Sequence, residues 1–324
     1  MAEYREERET IFWKKDKKGV KCKVCLFDCS IPEGKVGVCG VRQNKGGELI
    51  IKEYGNVDGL EVNRIEERNL YNFLPQSNTL AVKMKSSKEF GILPEVKKVS
   101  KKFKPIELVS YAKENKVKSI IFTGVEFVGH YEYVIKVFRE ARRNNIRAIL
   151  TTAGLINEDP IKKISKYTDA LVVYFFTSGN EEYYRKSTLV KKVERVYDVV
   201  KMFAKYRVFI EVANVLVKGY ESIEYCKNLA NWVVATLGAE IPFHILKGNI
   251  KLNLVQLKEY YTVCKDAGLR YVYVDNSRDP LMESSYCHNC GTLLVERVGA
   301  RVKSVNLINE RCPNCGIKHN FVFA

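Results

Sequence analysis

Between residues 79 and 275 the chain repeats one pattern: a short β-branched apolar run, then a longer amphipathic stretch. Runs suited to strands fall at 79–85, 118–123, 147–152, 170–176, 207–215, 241–246 and 270–274. Helical periodicity marks 105–114, 131–144, 158–166, 189–205, 222–236 and 254–267. A helix between two strands acts as a crossover, so the strands are expected to pair in parallel. Six or seven such units predict an α/β protein built on a complete or partial TIM-type (β/α) barrel, with working residues at the C-terminal strand ends. Local signals agree: Pro105 suits a first helical turn, Asn157 an N-cap before Glu158, and Gly268 a helix end.

The chain outside this region carries eight cysteines in two sets. At the C-terminus Cys287 and Cys290, then Cys312 and Cys315, form two C-x-x-C pairs. Each pair aims two thiolates at one ion, and two pairs complete a tetrahedral sulfur shell. Apolar runs at 293–297 and 302–307 suit a hairpin carrying the pairs, which is zinc-ribbon spacing. His288 and His319 lie nearby and are read as bystanders, because four thiolates already fill the shell. At the N-terminus stand Cys22, Cys25, Cys29 and Cys39. Four thiolates there suit Zn²⁺ and also an iron–sulfur cluster. Zinc is the simpler expectation, since closed four-cysteine sites in small loop-rich modules are usually structural. Cys226 and Cys264 fall in helical patterns and read as core residues. The chain thus divides into an N-terminal metal module at 1–60, a barrel at 61–280 and a ribbon at 281–324.

Cysteines grouped in this way point to metal rather than to disulfides. The N-terminus is charged at once and has no apolar signal core, and no apolar run is long enough to span a bilayer, so a cytoplasmic protein is expected. Lys and Glu are abundant and only Gln43, Gln76 and Gln256 represent glutamine, a balance typical of thermophiles. The formal net charge is +16. Such a surface attracts polyanions, or is simply a solvated lysine coat.

Several motifs carry a resemblance: the stretch from Cys22 through Cys39-Gly40-Val41-Arg42, then Asn72-Phe73-Leu74-Pro75, Thr123-Gly124-Val125-Glu126, Glu211-Val212-Ala213-Asn214, Pro242-Phe243-His244, and Tyr286 through Arg297. Together they resemble radical S-adenosylmethionine (SAM) enzymes, in the branch of pyruvate formate-lyase activating enzyme and the AmmeMemoRadiSam system. The resemblance covers nearly the whole chain and implies a partial (β/α)6 barrel. It also implies a C-x3-C-x2-C triad after the first barrel strand, whose thiolates hold a [4Fe–4S] cluster that binds SAM. This chain has Ser86, Phe90 and Leu93 there and no cysteine. A hydroxyl is a poor ligand for such iron, and Phe and Leu are none. Other family positions are altered too, leaving Glu126, Gly154, Asn214 and His244 as vestigial cofactor-site candidates, with Glu126 and His244 expected as hydrogen-bonded residues of the barrel mouth.

The loop that should cradle the cluster is instead basic. Lys83, Lys85, Lys88, Lys97, Lys98, Lys101, Lys102 and Lys104 crowd it, which suits a phosphate-binding surface or a solvated charge run. The expectation is a catalytically degenerate radical-SAM-like zinc protein, with no catalytic residues, two zinc ions and no SAM. Its role would be binding or scaffolding, with RNA or the ribosome as partner and no membrane. Two rivals remain: an enzyme that retains SAM binding or an N-terminal iron–sulfur cluster, and a regulatory partner of an intact radical SAM paralogue.

Overall fold

The structure is a computed structural model that describes residues 10–85, 97–124, 126–187 and 190–324. The fold is α/β with parallel strands, of the partial TIM-barrel type. The chain forms two compact units. The first comprises Met1–Val62, Thr79–Leu171 and Glu194–Val208; the second comprises Asn63–Asn78, Val172–Val193 and Phe209–Ala324.

The first unit opens with short antiparallel strands: β1 (Trp13–Asp16), β2 (Gly19–Cys22), β3 (Ser30–Ile31), β4 (Arg42–Lys45) and β5 (Glu48–Ile51). β2 pairs with β1 and β3, while β4 pairs with β5. Then come β6 (Asn56–Arg64), β7 (Asn78–Met84) and β8 (Lys98–Lys102). Next are α1 (Pro105–Glu114), β9 (Ser119–Phe122), α2 (Tyr131–Arg143), β10 (Arg147–Thr152) and α3 (Glu158–Ile164). β7, β9 and β10 run parallel in one register, Leu80 and Ala148 both facing Ile120. β9 is buried throughout, so it needs no polar alternation. α2 buries Tyr131, Val134, Phe138 and Ala141, one stripe at helical spacing.

β11 (Ala170–Phe176) is followed by α4 (Glu181–Ser187) and α5 (Glu194–Lys205). In the second unit β12 (Phe209–Leu216), α6 (Ile223–Leu237), β13 (Phe243–Lys247), α7 (Leu254–Asp266) and β14 (Val272–Val274) follow. β12, β13 and β14 are parallel, with His244 between Ala213 and Tyr273. α7 starts at a capping box in which Asn253 and Gln256 serve each other's backbone N–H. It ends before Gly268, whose φ of 100° few other residues tolerate. After α8 (Pro280–Glu283), the strands β15 (Ser285–Tyr286), β16 (Leu293–Val298) and β17 (Arg301–Val305) form the terminal antiparallel sheet. No helix among the described residues is long and apolar enough to cross a membrane.

Three expectations are corrected. Lys98–Lys102 form a strand, not a loop; they pair antiparallel with β6, Gly59 facing Lys98 and Asn56 facing Lys102. Asn157 precedes α3 but makes no side-chain cap; its amide donates instead to the Lys23 and Cys25 carbonyls at 3.0 Å each. The expected helix at 189–205 is α5, which starts only at Glu194, and α4 at Glu181–Ser187 is a separate helix that was not expected.

Candidate metal centre

The terminal sheet brings Cys287, Cys290, Cys312 and Cys315 together. Their sulfurs all lie within 4.8 Å of one another. Cys287 Sγ is 3.5 Å from Cys315 Sγ, and Cys290 Sγ is 3.6 Å from Cys312 Sγ. A tetrahedral zinc tetrathiolate requires sulfurs about 3.8 Å apart, so the set is already at binding geometry. Each knuckle is closed by backbone: Gly291 N–H donates to Cys287 O and Gly316 N–H to Cys312 O, both at 2.9 Å. Cys287 and Cys312 are buried while Cys290 and Cys315 are exposed. The two buried ones join a core of Tyr71, Tyr271, Tyr273, Leu294, Val295 and Phe321.

The thiols are unequal. The Thr292 hydroxyl and N–H draw Cys290 down to about 5, so it is a thiolate at neutral pH. Burial pushes Cys287 up to about 12. Cys312 is lowered, its burial outweighed by N–H groups of Cys315 and Asn314. His319 Nδ1 lies 2.6 Å from the Tyr271 hydroxyl, and neither His319 nor His288 is in the ligand set.

The N-terminal cysteines share one neighbourhood in the first unit. Cys22 N–H donates to Cys29 O at 2.9 Å, and a methyl at Gly37 would lie 3.5 Å from Cys29 Sγ. Burial raises the pKa of Cys22, and Arg42 works against that rise. Burial also raises Cys29, and pushes Cys25 up to about 12. Among the described residues only the C-terminal set gathers its ligand atoms within 4.8 Å. Arg42 itself is buried against Glu132 of α2. Burial opposes its charge, but Glu132 and the Cys22 and Cys39 thiols outweigh that, so its pKa is raised.

The four vestigial candidates fall in both units. Glu126 and Gly154 belong to the first unit, Asn214 and His244 to the second. Glu126 follows β9, and its carboxylate accepts from Thr152 Oγ1 at 2.9 Å and from Ala153 N–H. Burial raises it to about 7, against those donors. Gly154 packs so closely that a methyl there would meet Val196 Cα at 2.9 Å. Asn214 Oδ1 accepts from Ser178 N–H, and its Nδ2 donates to Ser178 Oγ, both at 2.8 Å. His244 is the second residue of β13 and so lies at the N-terminal strand end, opposite to the expected mouth. There it meets Glu211, whose carboxylate also accepts the Tyr71, Asn72 and Phe73 N–H groups. The Glu211 and Arg297 roles were missed in the sequence, although both residues lie in motifs that carried the resemblance. Arg297, fully buried, donates to Tyr71 O at 2.7 Å and Ser285 Oγ at 2.8 Å. Its guanidinium lies 4.6 Å from the Tyr71 ring centre.

The basic residues make different local contacts. Lys83 packs over Gly124, and Lys85 Nζ is 3.4 Å from Glu53. Lys97 N–H donates to Glu61, and Lys101 Nζ sits 4.8 Å over the Phe103 ring. Lys104 lines a cavity of about 360 Å³ with Lys136, Arg139, Arg143 and Glu140, the last ion-paired to Arg143 at 3.1 Å. Lys88, Ser86, Phe90 and Leu93 lie outside the described residues.

These features define an α/β chain with a terminal four-cysteine group that could hold a metal ion. The Radical SAM superfamily profile matches residues 92–233, in agreement with the resemblance that the motifs carry. An uncharacterized protein of Methanocaldococcus jannaschii is 28% identical over 336 residues, covering 97% of this chain and 99% of that one. Among solved structures, a domain of pyruvate-formate lyase-activating enzyme from Bacteroides vulgatus is similar with a TM-score of 0.43 and 12% identity, covering 48% of this chain and 98% of that one. Streptococcus suis SuiB bound to S-adenosylmethionine matches with a TM-score of 0.41 and 16% identity, covering 50% of this chain and 39% of that one.

The superfamily implies a [4Fe–4S] cluster and SAM. The resemblance assigns the three thiolate positions to Ser86, Phe90 and Leu93, and a hydroxyl, a phenyl and an isobutyl group do not fit such a cluster. The Glu126 carboxylate and the Asn214 amide are already bonded within the protein.

Proposed function

We propose that this protein is a radical-SAM-like barrel without radical chemistry, held together at both ends by zinc, that works by binding a polyanion, RNA foremost. One observation carries the non-catalytic half: Ser86, Phe90 and Leu93 replace the ligand triad. Without three thiolates no iron can be presented to SAM, so no reductive cleavage can start. Zinc at Cys287, Cys290, Cys312 and Cys315 is supported by their near-tetrahedral spacing. Zinc at Cys22, Cys25, Cys29 and Cys39 rests on the motif and their shared neighbourhood.

The binding half is supported by the net charge of +16 and by cations concentrated in the first unit. Exposed lysines of β8 and the cavity at Lys104, Lys136, Arg139 and Arg143 offer sites for successive phosphates. Each neutralised phosphate would release condensed counterions, so affinity should fall steeply with salt.

Two measurements test the reading. Anaerobic protein with SAM and a strong reductant should yield no 5′-deoxyadenosine above a no-protein control; production of it would overturn the non-catalytic half. Bulk RNA should bind with strong salt dependence. The variant with Lys97, Lys98, Lys101 and Lys102 replaced by Ser should bind all sequences more weakly, because phosphate contacts carry no sequence information. Unchanged affinity in that variant, with its zinc content intact, would remove β8 from the binding surface.

A further inference from the structure

We infer that Arg42 is the counter-cation of the N-terminal four-cysteine set, which takes one divalent metal ion as a dianionic tetrathiolate. The inference rests on the proposed metal reading of Cys22, Cys25, Cys29 and Cys39 and adds the residue that makes such a site tolerable when buried.

Backbone ties place the groups together. Cys22 and Cys29 are joined by the N–H···O bond between them, and Cys29 Sγ lies against Gly37. Gly37 N–H donates to Arg42 O at 2.8 Å, and Gly40 N–H closes the turn that carries Cys39 by donating to Gly37 O at 2.9 Å. Cys39 is held against α2's entry, since a methyl at Gly129 would lie 3.7 Å from Cys39 Cβ. Cys25 is fixed by its bridge to Ile156 and by the Asn157 amide.

Arg42 is 2% exposed. Its Nη2 donates to Glu132, whose other oxygen accepts the Ile11 N–H at 2.9 Å. Its Nε and Nη1 are buried and have no hydrogen-bond partner among the described residues. Arginine–carboxylate pairs are frequently bidentate, with two parallel bonds. Here one nitrogen is committed to Glu132 and two donors are left over. Leaving buried donors without acceptors costs the full desolvation of those groups. Thiolate sulfur is an acceptor, and four thiolates on a divalent ion carry a net charge of −2. A buried dianion needs a cation and N–H donors close by. Arg42 supplies both, and Glu132 holds it as a positioning residue.

The test uses the full-length protein, zinc counting and competition with a chelator. Wild type should hold two zinc ions, and C22S/C25S one. Arg42→Met with Glu132→Leu removes both buried charges together and should fold, because apolar replacement of a buried pair is tolerated. That double variant should keep the ribbon zinc and hold the second about tenfold or more weakly. Arg42→Lys should recover part of the loss. If the double variant holds both ions against chelator as wild type does, Arg42 is merely half of an ion pair and the inference fails while the metal reading stands. If C22S/C25S loses no metal, the N-terminal metal reading itself fails. Iron with acid-labile sulfide in place of the second zinc overturns the single-ion assignment.

Discussion

The Glu211 carboxylate lies 2.7 Å from His244 Nε2 and at the same time accepts three backbone N–H groups, those of Tyr71, Asn72 and Phe73. It therefore pins the turn at 71–73 to the start of β12 in the second unit. Both side chains are almost fully buried, so every donor pointed at Glu211 would be orphaned by its removal. Glu211→Ala should cost roughly 3–5 kcal/mol, the range for breaking one side of a buried pair. Glu211→Gln keeps an oxygen for the amides and should cost less. Urea unfolding followed by circular dichroism measures both; a loss below about 1 kcal/mol in the Ala variant would show that water or rearrangement replaces the carboxylate.

Glu126 makes a pH prediction of definite sign. Its folded pKa of about 7 stands above the ordinary 4.5 because burial disfavours the charge more than Thr152 and Ala153 favour it. The folded state thus holds the proton more tightly than the unfolded one. The stability this gives is complete below pH 4.5, falls as pH rises towards 7, and is gone above it. Over that window wild type should lose on the order of 3 kcal/mol relative to Glu126→Gln. Parallel stability–pH curves for the two proteins would show that Glu126 stays ionised throughout.

The barrel elements were legible because their apolar periodicity is strong. α1 was placed at 105–114 and found at Pro105–Glu114; β10 and β11 fell at their predicted bounds. The small strands before β7 were not, since four-residue strands such as β1 and β4 show no clear alternation. β8 reads as a charge run because its pattern, Lys-Val-Ser-Lys-Lys, belongs to an exposed strand with little to bury. Of the metal sites, the C-terminal spacing alone announced the geometry. Arg42, Glu211 and Arg297 stayed hidden, because pairing of charges distant in sequence leaves no local pattern. Asn157 misled for a related reason: an N-cap position and a loop clamp ask for the same side chain.

β8 pairs with β6 through an irregular register, and its lysines lie on both faces: Lys98 and Lys101, opposite Gly59 and Val57, on one, and Lys102, opposite Asn56, on the other. Such charge also prevents an edge strand from recruiting another chain. Replacing Lys98 and Lys102 with Val should raise self-association at micromolar protein, read by light scattering, while replacement with Ser should not. Equal, monomer-like scattering from both variants would show that β8 offers no edge for pairing.

The ribbon metal should be coupled to protons in an uneven way. At neutral pH Cys290 is already a thiolate, whereas buried Cys287 keeps its proton until a metal displaces it. Zinc binding must then release at least that proton, because only thiolates bind. Calorimetry of zinc titrated into metal-free protein, in buffers of differing ionisation enthalpy, should show an apparent enthalpy that changes with buffer. As pH falls the thiolates are reprotonated, so affinity should drop. Cys312→Ser should remove this ion and expose the core around Leu294 and Val295, which shares Cys287 and Cys312 with the metal site. The terminal sheet should become protease-sensitive, as should the wild-type protein after a strong chelator. The helices of the first unit, which contain none of these ligands, should keep their far-ultraviolet signal. A buffer-independent enthalpy, or a ribbon that resists protease equally with and without metal, would mean that the four sulfurs converge for packing and not for an ion.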